Sequence, residues 1–129
     1  MKRNSRILAA MMAILAMTAL AGPVAARDGD VTRTGDCSGR ADWKLKGGAR
    51  DGRIEVEFQV DSNRVGQTWR VRLSDNGDVF FRGKRQTLAP SGSFSVERRT
   101  ANRAGTDRIV GFARNLASGQ TCRGVIRIP

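Results

Sequence analysis

Histidine and tyrosine are absent from the 129 residues, cysteine occurs twice, and 12 acidic side chains stand against 23 Lys and Arg. Without histidine there is no Ser-His or Cys-His dyad, no imidazole acid–base work and no His-ligated zinc. Two cysteines do not complete a four-Cys zinc site, and no Gly-Lys-Ser/Thr phosphate loop occurs. Five Phe and two Trp are few once a core has been filled. The length suits one domain with a core of modest size. Only one long apolar run exists, and it lies at the N-terminus. What the chain has in excess is positive charge, a formal +11.

The apolar run extends from Ile7 to Ala21, broken only by Thr18, behind Lys2, Arg3 and Arg6. Gly22-Pro23 then interrupts it, and Val24-Ala25-Ala26 offers small residues for a signal peptidase. This three-part pattern predicts a helical signal peptide over 1–26, cleaved before Arg27. A retained membrane anchor is the alternative. The Ala-rich run is weakly hydrophobic for that role, and Pro23 stands where processing is expected. Pro23 also occupies the place of a lipidated Cys, and Arg3 and Arg6 are not adjacent, so neither a lipoprotein nor a twin-arginine signal is indicated. The expected location is secreted, extracellular or cell-wall associated, with no membrane contact after cleavage. The remaining 103 residues carry 20 basic and 12 acidic side chains, a charge of +8.

Export places Cys37 and Cys122, near the two ends of that chain, where disulfides persist. A bond between them closes most of the domain into one loop, worth about 4–5 kcal/mol on chain-entropy grounds. Two free thiols are the alternative, but no histidine is present to activate one as a nucleophile.

From Cys37 onward short runs alternate apolar and polar residues between Gly, Asn, Asp and Ser. Trp43 and Leu45 flank Lys44; Ile54, Val56, Phe58 and Val60 alternate with Glu55, Glu57 and Gln59; Trp69, Val71 and Leu73 alternate with Arg70 and Arg72. Val79 to Lys84, Phe94 with Val96, a more continuously buried Ile109 to Ala113, and Cys122 to Ile128 follow. This period of two predicts an all-β, seven-stranded antiparallel immunoglobulin-like sandwich over 37–129. Residues 27–36 hold only Val31 as an apolar side chain and read as a flexible leader. Trp43 and Trp69 fall on inward positions and read as core. Between the third and fourth strands, Asp75-Asn76-Gly77 predicts a three-residue loop with Gly77 as a bulge, pairing Leu73 with Val79 and Val71 with Phe81. Both cysteines fall at the starting ends of their strands, so the disulfide would staple the first and seventh strands at one pole.

Several segments then add up to a familiar pattern. They are Cys37-Ser38 before Trp43-Lys44-Leu45, Ile54-Glu55-Val56-Glu57-Phe58 with Val60-Asp61, Gly66-Gln67-Thr68-Trp69, Ser91-Gly92-Ser93-Phe94, Ala104-Gly105-Thr106-Asp107 and Ser118-Gly119-Gln120-Thr121-Cys122. Together they resemble small secreted actinobacterial proteins of unknown function with an immunoglobulin-like β-sandwich. The resemblance covers nearly all of the chain after the leader. It implies fold and export, and it brings no activity, cofactor or site residue.

Catalytic arrangements are thin. Glu55 and Glu57 face one way about 7 Å apart, but Lys44 and Lys46 on the neighbouring strand make cross-strand ion pairs the simpler reading. Asp75-Asn76-Gly77-Asp78 looks like part of a calcium loop yet lacks the later bidentate Glu and is explained as a turn. A non-enzyme without cofactor or metal is expected.

Charge is distributed unevenly. With the first, second and fifth strands in one sheet, its outer face shows Lys44, Lys46, Glu55, Glu57, Ser95 and Glu97, nearly neutral. The other sheet shows Arg70, Arg72, Arg82, Lys84, Arg123 and Arg127, with Arg108 and Arg114 as further members, and no acid. Such a face attracts polyanions; the plain alternative is a solvated, Arg-rich surface. Phe80 is expected outward among these cations, joined by Phe112 or Val110 unless the sixth strand is covered on both sides. The leading expectation is a monomeric secreted binding module for an anionic partner: a wall polymer, an acidic protein, or nucleic acid without sequence reading, since no DNA- or RNA-binding motif occurs. The second is an inhibitor of another extracellular protein, using loops Asp61–Gln67, Gln86–Gly92 and Thr100–Thr106 at one pole, with Leu88-Ala89-Pro90 as an apolar tip.

Overall fold

The computed structural model describes residues 29–129; the expected signal peptide and the first residues of the expected leader lie outside them. Eight strands follow in chain order: β1 (Val31–Asp36), β2 (Asp42–Arg50), β3 (Arg53–Asp61), β4 (Thr68–Asp75), β5 (Asp78–Gln86), β6 (Ser93–Ala101), β7 (Asp107–Asn115) and β8 (Thr121–Ile128). They form two antiparallel four-stranded sheets, ordered β1-β2-β3-β6 and β5-β4-β7-β8. The seven expected strands are β2 to β8, divided between the sheets as an immunoglobulin-like sandwich requires. No helix of the described residues is long and apolar enough to cross a membrane.

β1 corrects the expectation of a flexible leader over 27–36. Val31–Asp36 pairs with β2 in continuous register, from Val31 opposite Gly47 to Asp36 opposite Asp42. An edge strand built on backbone hydrogen bonds needs little apolar periodicity, so its sequence gives no alternation to read. Its anchor is Gly35. The Trp43 ring lies across it, with a Cβ at Gly35 falling only 2.6 Å from Trp43 Cζ2.

Alternation turns directly into layers elsewhere. Leu45, Ile54, Phe58, Val60, Trp69, Leu73, Ile109 and Ala113 are fully buried between the sheets, while their chain neighbours face out. Phe58 packs onto the backbone of Gly111, where a Cβ would fall 2.7 Å from Phe58 Cδ2. Trp69 meets Phe94 at 6.3 Å between ring centroids. Trp43 is half-buried and spans the sandwich to Gly124 of β8, its Nε1–H donating to Asp36 O at 3.2 Å.

Cys37 and Cys122 form the disulfide across a sequence separation of 85, with Cα atoms 4.3 Å apart. Cys37 lies in the β1–β2 connection, just after β1 and not at the start of a strand as expected, and Cys122 lies in β8 of the other sheet, so the bond ties the two layers together at one pole. Hydrogen bonds extend the staple: Ser38 N–H to Thr121 O, Thr121 N–H to Ser38 Oγ and Ala41 N–H to Gln120 Oε1, at 2.8, 2.9 and 2.8 Å.

The β4–β5 hairpin corrects the expected loop. Ser74 stands opposite Val79 and Asp75 opposite Asp78, leaving a two-residue turn of Asn76 (φ 49°) and Gly77 (φ 89°). Both residues take positive φ, the primed turn whose twist suits a hairpin. The phase error that such a turn would cause is repaired inside the strand. The register shifts beyond Ser74, so that Leu73 faces Phe81, Val71 faces Gly83 and Arg72 faces Arg82. Phe80 is the extra residue of that bulge. It therefore does not stand outward among the arginines, as expected, but packs half-buried against the core beside Phe81.

The loops of the second functional expectation also separate. In an up-and-down chain, loops alternate between poles. Asp61–Gln67 and Gln86–Gly92 meet at the disulfide pole, tied by Ser62 N–H to Gly92 O and Gly66 N–H to Thr87 O at 3.0 and 2.8 Å. Thr100–Thr106 lies at the opposite pole, where Asn76 Nδ2 donates to Thr106 O at 3.3 Å. The segment that shares the disulfide pole instead is the β7–β8 turn, through Leu116 N–H to Thr68 O at 3.0 Å.

Candidate anion-binding face

The outer face of the second sheet is assembled by register. Lys84 of β5, Arg70 of β4, Arg114 of β7 and Thr121 of β8 stand side by side, and in the next row come Arg82, Arg72, Phe112 and Arg123. Strands lie about 4.8 Å apart and rows about 7 Å apart, so six cations surround one ring on a patch that a short polymer segment would cover. Farther along, Ser74, Val110 and Val125 make an uncharged row, and Arg108 stands opposite Arg127. All six expected residues, Arg70, Arg72, Arg82, Lys84, Arg123 and Arg127, are exposed on this face together with Arg114, and Arg108 is half-buried.

Among the described residues no carboxylate pairs with any of them. The ion pairs lie elsewhere: Lys46–Glu57 at 3.8 Å, Arg50–Asp30 at 2.6 Å, Arg50–Glu55 at 3.6 Å, Arg99–Glu55, and Arg103–Asp78 at 2.6 Å. Like charges directly opposite in a sheet repel, so this grid is maintained at a cost to the fold.

Phe112 is the ring within the grid. It is half-buried, and the Arg72 guanidinium carbon lies 5.3 Å from its centroid. The outer side of β7 is thus open, settling the alternative of a strand covered on both faces. Phe112, Val71, Gly83, Arg70, Arg72, Arg82, Lys84 and Arg114 line a shallow groove of about 540 Å³. Gly83 contributes no side chain to it, and on the opposite side of β5 the Phe81 ring lies against that glycine.

A second aromatic–cation group was not foreseen. Arg85 and Arg98 hold their guanidinium carbons 5.1 and 4.5 Å from the centroid of Phe81. They close the open side of the sandwich between the edge strands β5 and β6. Arg98 belongs to an otherwise inward-facing series with Phe94 and Val96, so only the meeting of two sheet edges explains a cation there.

The first sheet contrasts with this. Glu55 and Glu57 are held by Arg50, Arg99 and Lys46, with Ser95 Oγ donating to Glu57 at 3.5 Å. Lys44 instead faces Gln59. At the disulfide pole Asp36, Asp42 and Asp61 stand in one row across β1, β2 and β3. No group of three or more His, Cys, Asp or Glu among the described residues is arranged to hold a metal. The Asp75–Asp78 segment serves as a turn, pinned by Arg108 N–H to Asn76 Oδ1 at 2.8 Å.

Three large apolar side chains are exposed on loops of the disulfide pole: Val65 at 59%, Leu88 at 61% and Leu116 at 43%. Val65 and Leu88 belong to the loops Asp61–Gln67 and Gln86–Gly92 expected to bind, whereas Leu116 lies in the β7–β8 turn, which the expectation left out; counting strand parity puts these three loops together. No protein-family model, curated protein or solved structure matches the chain.

Proposed function

We propose that the protein is an exported, non-enzymatic binding module whose second sheet engages an anionic partner through its outer face. The observation that carries this is the grid of exposed Arg and Lys in cross-strand register, with no acidic residue among them and, among the described residues, no ion pair to any. Counterion release from a polyanion and the long-range potential of such a face both favour association. The leader pattern and the interlayer disulfide support export to an oxidising compartment.

The test compares two variants that each lose four charges. In one, Arg70, Arg72, Arg82 and Lys84 become Gln; in the other, the exposed Arg33, Arg40, Arg53 and Arg64 do. On an anionic matrix or a cell-wall preparation eluted with a salt gradient, the first variant is expected to leave at much lower salt than the second. Equal shifts would overturn the reading, because the attraction would then be net charge and not a face.

A second reading is favoured by Val65, Leu88 and Leu116, which expose apolar surface on three loops of one pole. It makes the protein an antagonist of another extracellular protein. Such binding would persist in high salt and fail on substitution of Val65 and Leu88 by Ser.

A further inference from the structure

Within the proposed anionic-partner reading, on which this rests, we infer that the groove around Phe112 takes an unpaired nucleobase, and that the ligand class is single-stranded nucleic acid bound without sequence preference. The row Arg82, Arg72, Phe112, Arg123 places a flat ring between guanidiniums on the neighbouring strands, and the row Lys84, Arg70, Arg114 adds three cations alongside. A polymer matching this surface alternates anionic groups with planar apolar ones. A phosphodiester chain bearing bases does so. Acidic peptides supply carboxylates but no regular flat partner for the ring, and a glycerol-phosphate polymer supplies phosphates alone.

Two further features favour a single strand over a duplex. The ring lies in a shallow groove on a sheet, and every cation of the two rows is on a sheet strand, so among the described residues no helix carries these cations into a duplex groove. A base reaches Phe112 only when it is unpaired and can be splayed onto the sheet. Arginine makes up all but one of the cations in the two rows. Its planar fork both pairs with phosphate in bidentate fashion and stacks on flat faces, as Arg72 already does on Phe112. The volume of about 540 Å³ falls within the range of pockets that hold small ligands.

The experiment measures binding of the full-length, disulfide-bonded protein to four fluorescent probes of similar charge. They are a 24-nucleotide oligo-dT, its abasic counterpart, a 12-base-pair duplex, which carries about the same number of phosphates, and a polyglutamate of matching charge. Oligo-dT is expected to bind about tenfold more tightly than the abasic strand, the worth of one stacked base. Phe112→Leu, which keeps an apolar side chain but no flat ring, is expected to bring the two affinities together, and Phe112→Trp to preserve the difference. Equal affinity of the unaltered protein for oligo-dT and the abasic strand would overturn the base site while leaving the anionic face intact. Stronger binding of the duplex or of polyglutamate would overturn it in favour of those partners. Loss of binding to every probe, with no salt dependence, would remove the anionic face as well.

Discussion

The carboxyl groups of Asp75 and Asp107 lie side by side, both fully buried, at the pole where β4 ends and β7 begins. Neither oxygen of Asp75 receives a hydrogen bond from an N–H or O–H of the described residues; protonated, Asp75 can donate to the Asp107 carboxylate, and ionised, the two carboxylates repel. Asp107 Oδ2 accepts from Arg103 N–H at 3.3 Å. Burial, then the bond to Asp107 and its charge, raise the Asp75 pKa from 3.8 to about 6; Asp78 adds to the rise and the Arg103 guanidinium opposes it.

A raised acid in the folded state means that folding favours the protonated form. This contribution to stability is complete below about pH 3.8 and is lost as pH rises to about 6. Asp75→Asn keeps the shape without the titration. Its melting temperature relative to the unaltered protein is expected to rise between pH 4 and pH 7.5. A difference that stays flat across that range would show that Asp75 carries no shifted proton.

Trp43 and Gly124 make a second close relationship, because the indole occupies the place where a side chain on β8 would stand. A Cβ at Gly124 would fall 2.6 Å from Trp43 Cε3, with Gly35 pressing on the same ring from β1. Gly124→Ala is expected to cost about 1–3 kcal/mol, the range for an overfilled core. Restoring stability with the double variant Gly124→Ala, Trp43→Phe would confirm the contact. Chemical denaturation of the single and double variants measures both.

Arg70 stands between Lys84 and Arg114, so it meets like charge on both sides. Arg70→Thr is expected to stabilise the fold by about 0.5–1 kcal/mol at low ionic strength, since like charges directly opposite repel and Thr suits a strand. The gain should fade in 1 M salt, where the Debye length is about 3 Å. A stabilising change that also weakens binding to polyanions would show that the face is kept for its ligand. No change in stability would mean that the arginines already avoid one another in solution.

Much of this architecture could be read directly from residue order. Alternation in Ile54 to Val60 and Trp69 to Leu73 decides which side chains enter the core, because successive strand residues point to opposite faces. The same parity placed Arg70, Arg72, Arg82, Lys84, Arg123 and Arg127 on one surface. Cysteine positions near the two ends anticipated the staple between layers. Other features depended on contacts between distant segments. β1 is a strand because β2 offers it a free edge and Trp43 a place for Gly35, and neither is visible in residues 27–36. Phe80 left the basic face because a two-residue turn forced a bulge, a balance of turn twist against core phase that local spacing cannot resolve. Arg85 and Arg98 meet over Phe81 only where two sheet edges close. Sequence by itself determined the face of each side chain, since that follows from a local period of two; the tertiary structure decided which faces and edges meet, since that is set by pairings far apart in the chain.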